Sequence, residues 1–246
     1  MDRLIYTAAS AARATMLRQD SLTQNLANAN TTGYRADQVA FRAVPVRGDG
    51  DSTRVVALEA TAGFDSHSGP IQSTGRALDI ALNGDGYIAV QSANGTEAYT
   101  RNGSFDVTPE GVLTTSGGLN VLGDGGPLTI PAGAQISIGA DGTVSAQPGG
   151  GGAAQTVGRI KLVKPTEETP LRKGADGLLR DINGEDLPAD PTVRVIAGSL
   201  EGSNVNVVEA MVNMISAARQ FETQMKLLQN AEQNDQRAAQ LLAAPR

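Results

Sequence analysis

The chain has 246 residues, of which 40% are hydrophobic and 3% aromatic, and its formal net charge is −6. A chain of this length and apolar content can bury one large core or two modest cores, so disorder throughout is excluded. The negative charge argues against binding to nucleic acid or to an anionic membrane surface, and the lack of cysteine excludes disulfides and thiolate metal sites.

The first predicted element is a long N-terminal helix over residues 1–29, which contain neither glycine nor proline. Its best heptad pattern has two positions that recur every seven residues and face a partner helix. One position holds Met1, Ala8, Thr15, Leu22 and Ala29, and the other holds Ile5, Ala12, Gln19 and Leu26. Many of these residues are small or polar and bury little surface, so the helix needs a partner to be stable.

The helix runs into the stretch NLANANTTGYR at residues 25–35. Asn25 and Asn28 are three residues apart, which places both amides on one face of the helix end. An unmatched buried amide costs about 1–3 kcal/mol, so these amides are expected to select one register with a partner. Gly33 is expected to adopt the left-handed conformation that ends the helix, and Tyr34 to anchor the turning chain. The alternative is a plain helix cap with solvated amides.

Residues 34–75 are predicted to form an extended connector, since their apolar residues show no strong periodicity. Within this connector, GDGDST at 48–53 is predicted to be an exposed loop.

Residues 76–198 are predicted to form a central β domain of mostly antiparallel strands, because short β-prone segments alternate there with turn residues. The predicted strands are 78–82, 87–91, 97–101, 104–108, 111–115, 119–123, 128–130, 136–138, 156–164 and 192–198. Four dipeptides tolerate the positive φ of tight hairpins, namely Asn83-Gly84, Asn94-Gly95, Asn102-Gly103 and Asp141-Gly142. The glycine-rich segment 148–154 is predicted to be a flexible surface loop.

The last predicted segment, 199–246, contains a second long helix that begins near Asn204. Asn204 or Asn206 is expected to cap it, and Glu209 lies near the positive end of its dipole. It has two heptad rows, interrupted by the polar residues Glu232 and Asp235. One row is Met211, Ala218, Met225 and Ala239, and the other is Met214, Phe221, Leu228 and Leu242. The predicted fold is therefore α+β, with long N- and C-terminal helices forming a coiled-coil-like α region around a central, mostly antiparallel β domain.

The sequence contains few candidates for a catalytic or metal-binding site. His67 is the only histidine, which removes multi-histidine metal centres, and no motif for binding a nucleotide or calcium is present. Carboxylates are plentiful, but no pattern brings two of them together as a glycosidase requires. No stretch approaches the roughly 18 apolar residues of a membrane span, and the N-terminus is a poor match to a cleaved signal peptide. We therefore expect no catalytic site, cofactor or metal.

Three blocks of the sequence resemble the bacterial flagellar basal-body rod and hook proteins. NLANANTTGYR (25–35) resembles the basal-body rod motif that follows their N-terminal helix. Residues 69–118 look like their shared central segment, and residues 198–229 resemble their C-terminal helix. The opening MDRLIYTA and the modest length are most similar to the proximal rod proteins of the FlgF type. Distal rod proteins usually open with a Trp-containing stretch, and hook proteins are longer.

The resemblance implies a structural subunit of the proximal rod, which assembles helically through its terminal helices and transmits torque from motor to hook. The implied partners are copies of itself, inner proximal-rod subunits, the distal rod protein and the flagellar type III export apparatus. It also implies export without a cleaved signal peptide, into the rod that spans the periplasm, with no nucleic acid bound and no direct membrane insertion. Two alternative functions remain open, namely that of a distal rod protein and that of a secreted β-rich binding module.

The candidate assembly interface combines the heptad rows with the 25–35 stretch. Its residues are Ile5, Ala8, Ala12, Leu22, Asn25, Leu26, Asn28, Gly33, Tyr34, Val208, Met211, Met214, Ala218, Phe221, Met225 and Leu228.

Overall fold

A computed structural model describes residues 2–45, 55–150 and 152–243. Within these residues the chain forms an α-helix near each end and β-strands between them. The helices are α1, Asp2–Ala27, and α2, Val207–Ala243. The predicted α+β class is therefore confirmed. The predicted loop at 48–53 lies outside the described residues.

The chain divides into two units, and neither is continuous in sequence. Unit 1 consists of Met1–Ala27, Asp37–Gly63 and Asn206–Arg246. Unit 2 consists of Asn28–Ala36 and Phe64–Val205. This division differs from the four predicted segments, 1–33, 34–75, 76–198 and 199–246, because residues 37–63 group with the helices and residues 28–36 with the strands.

Unit 1 pairs the two helices and adds a small sheet. α1 packs along α2 and also contacts β1, Asp37–Pro45. β1 forms a two-stranded sheet with β2, Val55–Phe64. The predicted extended connector is thus paired through much of its length. Its apolar residues are too irregularly spaced to indicate strands. These strands depend instead on pairing with each other and on contact with a helix, which a local sequence pattern does not show.

Unit 2 is built from short strands, and every strand pair assigned within it is antiparallel, as predicted. The strands are β3 Ile71–Ser73, β4 Ile80–Asn83, β5 Tyr87–Gln91, β6 Glu97–Thr100, β7 Phe105–Val107, β8 Leu113–Thr115, β9 Asn120–Gly123, β10 Gly126–Pro127, β11 Gln135–Ile138, β12 Thr143–Gln147, β13 Gln155–Arg159, β14 Leu162–Val163, β15 Leu171–Lys173, β16 Leu179–Asp181, β17 Arg194–Ala197 and β18 Ser199–Glu201.

The largest sheet of unit 2 has nine strands in the order β15-β16-β6-β5-β9-β8-β7, with β10 beside β9 and β14 beside β5. The sheet β11-β12-β13 and the pairs β17-β4 and β18-β3 complete the unit. Its main core is aliphatic around Phe105, and a smaller cluster includes Tyr87 and Tyr99. Only a few aromatic side chains are needed because Ile, Leu and Val fill most of the interior.

Most of the predicted turns are confirmed, but one turn glycine and one predicted strand differ from the prediction. Gly84, Gly95 and Gly142 have positive φ, whereas Gly103 does not. Gly103 is needed instead because a Cβ there would lie 1.9 Å from the carbonyl oxygen of Ile80. Residues 128–130 contribute an isolated bridge, Val112 to Thr129, and not a strand. The segment 148–154 joins β12 to β13, and residue 151 lies outside the described residues.

Candidate assembly interface

α1 carries its predicted heptad rows on the side that packs against α2. The members within α1 that are buried or half-buried are Ala8, Ala12, Thr15, Gln19, Leu22 and Leu26. The Thr15 hydroxyl donates a hydrogen bond to Gln224 Oε1 of α2, at 3.2 Å. Ile5 lies in α1, but its side chain is outside what the structure describes. Thr15 of the face chosen from the sequence thus contacts the other helix.

On α2, one of the two predicted rows faces α1 and the other does not. Met214, Phe221 and Leu228 are half-buried, and the second buried row is Ala210, Ala217 and Ala231. With the half-buried Gln224 between Phe221 and Leu228, these residues alternate at spacings of four and three, as a helix seam requires. The sequence placed the second row one residue later, at Met211, Ala218 and Met225. Alanine takes this row because its small side chain allows two helix backbones to approach closely.

The opposite face of α2 carries an apolar stripe that none of the described residues covers. This outer stripe consists of Val208, Met211, Val212 and Ile215, which are 72%, 48%, 61% and 57% exposed. Their spacing aligns them along one side of the helix, and at 100° per residue that side points away from Ala210 and Ala217. A groove of about 660 Å³ continues from the stripe toward Arg219, Gln220 and Thr223.

The first asparagine of the 25–35 stretch is matched within the chain. Asn25 is buried, its Nδ2 donates to the Asp37 carbonyl at 2.9 Å, and its Oδ1 accepts from the Asp37 amide at 2.7 Å. This pair of bonds fixes the start of β1 against the end of α1. The Asn28 Oδ1 accepts from the Thr31 hydroxyl at 3.1 Å, a local turn contact. The Asn25 amide therefore serves the chain's own fold, which differs from the predicted matching to a neighbouring subunit.

The end of the same stretch packs into unit 2. Gly33 has the predicted left-handed conformation, with φ +68°, but it does not end the helix as predicted, because α1 ends at Ala27. A Cβ at Gly33 would lie 2.3 Å from the Arg101 carbonyl carbon. The Gly33 amide donates to the Glu201 carbonyl at 2.8 Å. Lys173 Nζ lies 3.8 Å from the centre of the Tyr34 ring, so Tyr34 anchors the turn through a cation–π contact.

A buried charge cluster, which sequence reasoning missed, holds this stretch in place. Arg35 Nη2 lies 2.7 Å from Glu201 Oε1, an ion pair without hydrogen-bond alignment. Arg101 Nη1 donates to Glu201 Oε2 at 2.9 Å, and the Gly69 amide donates to Glu201 Oε1 at 3.0 Å. We call Arg35, Tyr87, Arg101 and Glu201 the Glu201 cluster. The one signal in the sequence is that Arg35 and Glu201 both lie in blocks that carry the family resemblance.

The side chain of Asn204 also connects segments that are distant in sequence, a role that the sequence analysis did not predict. Asn204 Oδ1 accepts from the Ala36 amide at 2.8 Å, and its Nδ2 donates to the carbonyls of Asp65 and His67. The cap of α2 is Asn206, whose Oδ1 accepts from the amides of Val208 and Glu209. Of the two predicted caps, Asn206 is thus confirmed. Asn204 instead joins residues that are far apart in sequence.

Burial shifts the pKa values of two members of the Glu201 cluster, Arg101 and Tyr87. Burial lowers the pKa of the Arg101 guanidinium, and the neighbouring Glu201 carboxylate opposes that change. Burial raises the pKa of the Tyr87 hydroxyl, against the opposing influence of Arg101 and Arg35. The Tyr87 ring centre lies 5.2 Å from Arg101 Cζ. At neutral pH the Tyr87 hydroxyl is therefore neutral.

Among the residues that the structure describes, no arrangement of side chains suggests catalysis. In the part of the chain it describes, no three His, Asp or Glu side chains are grouped to hold a metal ion. His67 is 89% exposed and its Nδ1 lies 2.5 Å from Asp65 Oδ1, a contact within one loop. Across the described ranges, neither helix combines the length and apolar character that crossing a membrane requires.

Three family models match the chain in order. Residues 5–35 match "Flagella basal body rod protein", and residues 81–146 match "Flagellar hook protein FlgE/F/G D1 domain". Residues 196–241 match "Flagellar basal body rod FlgEFG protein C-terminal". These regions contain α1 with the 25–35 stretch, much of the nine-stranded sheet, and β18 with α2.

Relatives align along nearly the whole chain. It is 48% identical over 251 residues to the flagellar basal-body rod protein FlgF of Escherichia coli (strain K12), covering 99% of each chain. It is 34% identical over 248 residues to FlgF of Caulobacter vibrioides, covering 98% of each. It is 33% identical over 256 residues to the rod protein FlgG of Bacillus subtilis (strain 168), covering 95% of this chain and 96% of that relative.

Proposed function

The chain belongs to the flagellar basal-body rod proteins of the FlgF type, and we propose that it builds the proximal rod by packing its terminal helices against those of neighbouring subunits. It is a structural subunit of the basal body and not an enzyme. The proposal concerns how the subunit assembles and what the assembly does.

The observation that carries the proposal is that α2 is apolar on two opposite faces. One face packs against α1, and the other carries the outer stripe, Val208, Met211, Val212 and Ile215. A helix with apolar residues on opposite faces is typically buried on both. Fully burying a side chain such as Ile215 contributes about 1.5–3 kcal/mol, so the stripe favours a second helical partner.

In the assembly, α1 and α2 form a coiled-coil-like region whose outer stripe binds the terminal helices of the next subunit. Repetition of the same contact gives a helical array, because a contact between two different surfaces builds an open filament when its rotation does not close into a ring. The candidate interface residues of α2 then divide into two sets. Met214, Phe221 and Leu228 hold α1, while Val208 and Met211 hold the neighbour. A rod built in this way transmits torque from the motor to the hook.

The partners in this proposal are copies of the chain and other rod proteins, inner proximal-rod subunits on one side and the distal rod protein on the other. The subunit reaches the periplasm-spanning rod through the flagellar type III export apparatus and keeps its N-terminus. It needs neither nucleic acid nor membrane insertion. Mass spectrometry of the subunit from purified basal bodies tests the retained N-terminus, and loss of residues 1–15 would contradict it.

The experiment that tests the interface replaces Ile215 with Asp. A charge in the outer stripe should leave the monomer folded, since Ile215 is exposed there, but should block incorporation because the contact would bury an unpaired carboxylate. The matched control is Ile182→Asp, since Ile182 is similarly exposed, at 61%, and lies in unit 2. Swimming and electron microscopy of purified basal bodies measure the outcome. Normal rods with Ile215→Asp would overturn the proposed interface.

A further inference from the structure

Four asparagines of the chain are each followed by glycine, and all four lie in unit 2. The pairs are Asn83-Gly84, Asn94-Gly95, Asn102-Gly103 and Asn183-Gly184. Such a pair can lose the side-chain amide without an enzyme, because glycine has no side chain to block the approach of its own amide nitrogen. The four pairs share this local sequence, so the fold decides which of them reacts.

The reaction, deamidation, begins when the glycine nitrogen attacks the side-chain Cγ of the asparagine. A new N–Cγ bond forms, the bond from Cγ to the side-chain nitrogen breaks, and that nitrogen leaves as ammonia with the proton that the glycine amide gives up. Water then opens the cyclic succinimide at one of its two carbonyls, which gives aspartate or isoaspartate. A reactive pair therefore needs a free asparagine side chain, a peptide unit that can rotate and a glycine amide that can lose its proton.

The Asn102 side chain is held by two hydrogen bonds. Its Nδ2 donates to Ser116 Oγ at 3.2 Å, and its Oδ1 accepts from the Ser104 amide at 3.1 Å. Gly103 is buried, and its carbonyl accepts from the Ile80 amide at 2.9 Å. The peptide unit between Asn102 and Gly103 therefore cannot rotate without breaking native contacts.

The backbone around Asn83 is fixed by strand pairing. Asn83 lies in β4 and is paired with Arg194 of β17. The Gly84 carbonyl accepts from Nη2 of the buried Arg101 at 2.8 Å. Rotation of this peptide unit would disturb both contacts, although the Asn83 side chain is exposed.

Asn183-Gly184 lies in an exposed turn, but carboxylates stand on both sides of it in the sequence. The Gly184 amide donates to the Asp181 carbonyl at 3.1 Å, and Asp181 Oδ2 accepts from the Asn183 amide at 2.8 Å. Glu185 and Asp186 follow directly and are exposed. Carboxylates close to an amide disfavour the anion that forms when the amide loses its proton, so they slow the attack.

Asn94-Gly95 is the least restrained of the four pairs. Both residues are exposed in the turn between β5 and β6, and within the described part of the chain the Asn94 side chain makes no hydrogen bond. The Gly95 amide donates to the Ser92 carbonyl at 2.9 Å, and the Gly95 carbonyl accepts from Gln91 Nε2 at 3.5 Å. Exposed bonds at the tip of a turn open far more often than bonds inside a sheet.

The carboxylates beside this turn, Glu97 and Asp176, are each paired with a cation. Glu97 Oε1 lies 2.7 Å from Lys161 Nζ, and Asp176 Oδ2 lies 2.5 Å from Arg180 Nη2. Arg180 Nη2 also donates to Ser92 Oγ at 2.8 Å, which places a guanidinium group beside the turn. Negative charge that would oppose loss of the amide proton is therefore offset here.

We propose that Asn94 deamidates spontaneously in the folded subunit, and faster than the other three asparagines that precede glycine. Each event adds one negative charge to the turn between β5 and β6. The aspartate product keeps the fold, because Asn94 is exposed. The isoaspartate product inserts an extra methylene into the backbone of the turn, which should lower the Tm because β5 is an interior strand of the nine-stranded sheet.

Incubation of the full-length monomer in mildly alkaline buffer tests the proposal, with peptide mass spectrometry and chromatographic separation of aspartate from isoaspartate at each of the four sites. Asn94 should react about tenfold or more faster than each of the others. The matched control is the same chain in urea, where the four sites should react at similar rates because the fold no longer distinguishes them. Equal rates in the folded chain, a faster reaction at another site, or a preference for Asn94 that is unchanged in urea would overturn the proposal.

Removal of the two charges that follow Gly184 provides a second measurement. Glu185→Gln combined with Asp186→Asn should speed the reaction at Asn183 several-fold, since both side chains are exposed and their replacement leaves the turn in place. The rate at Asn94 should not change, which makes it the internal control. An unchanged rate at Asn183 would remove the reason why Asn94 reacts faster than Asn183 and would overturn the proposal.

Discussion

At the scale of single residues, Glu201 has the largest expected effect on stability. It is fully buried, it contacts Arg35 and Arg101 through its carboxylate, and its carbonyl accepts from Gly33. Glu201→Gln would leave two buried guanidinium groups without a counter-charge, at a cost of about 3–5 kcal/mol. Urea unfolding of the full chain measures this loss. Glu185→Gln, at an exposed site of unit 2, is the control, and equal midpoints for the two variants would contradict the prediction.

Gly33 is expected to be irreplaceable for two separable reasons, its positive φ and its close approach to Arg101. Gly118 has φ +79° with no atom within 4 Å of a Cβ position, so Gly118→Ala reports the backbone strain alone, about 1–2 kcal/mol. Gly33→Ala should cost clearly more, because its Cβ would lie 2.3 Å from a backbone carbon. Denaturant midpoints of both variants measure the difference. Similar midpoints would show that the structure accommodates the added Cβ at position 33 with no loss in the free energy of unfolding.

The same residues show how far a sequence can predict local structure. The positive φ of Gly33 follows from its place after a polar helix end, and that prediction is confirmed. The partner of Asn25 could not be predicted from the sequence. A turn after α1 brings the Asp37 backbone to Asn25, and no rule of residue spacing gives the path of that turn. Glu201 was missed because its two arginines are distant in sequence, and ion pairs of that kind leave no local pattern.

At the scale of elements, the contact between the helices depends on alanine. Ala217 is 1% exposed and lies in the row that faces α1, whereas Ala218 is half-buried. Ala217→Leu should push the helices apart and cost about 1–3 kcal/mol, because the seam has no room for a larger side chain. Ala218→Leu is the matched control and should cost less. Far-UV circular dichroism during thermal unfolding compares them, and a larger loss for Ala218→Leu would restore the row predicted from the sequence.

The one-residue error in that row has a physical cause. The sequence of α2 places methionines at seven-residue spacing, and large apolar residues normally mark the buried side of a helix. Here Met211 belongs to the outer stripe. The hydrophobic pattern of α2 therefore indicates two apolar faces and does not identify the one that packs against α1. On α1 only one face has the spacing of a seam, and there the prediction agrees with the burial of Ala12 and Thr15.

At the scale of the whole molecule, the two units should differ in local stability. Unit 2 buries many branched aliphatic side chains around Phe105, whereas the described seam of unit 1 buries mainly alanine and threonine. In dilute monomer, amides of α1 and α2 should therefore exchange with solvent about a hundredfold or more faster than those of β5 and β9. Hydrogen exchange followed by mass spectrometry measures this ratio. Equal protection would show that the helices are stable without neighbouring subunits.

The architecture as a whole was only partly accessible from the sequence. The α+β class, the antiparallel strands and both long helices follow from periodicity and turn residues, which are local signals. The grouping of 37–63 with the helices and of 28–36 with the strands depends on contacts between distant segments. Such contacts are set by the whole chain at once, so the predicted linear division into segments did not contain them.

The distance in sequence between Arg35 and Glu201 has a consequence for the timing of folding. A ribosome releases the N-terminus first, so the 25–35 stretch emerges long before the carboxylate that completes its binding site. α1 likewise emerges long before α2, its packing partner. Neither unit can therefore reach its final form while the chain is still being made.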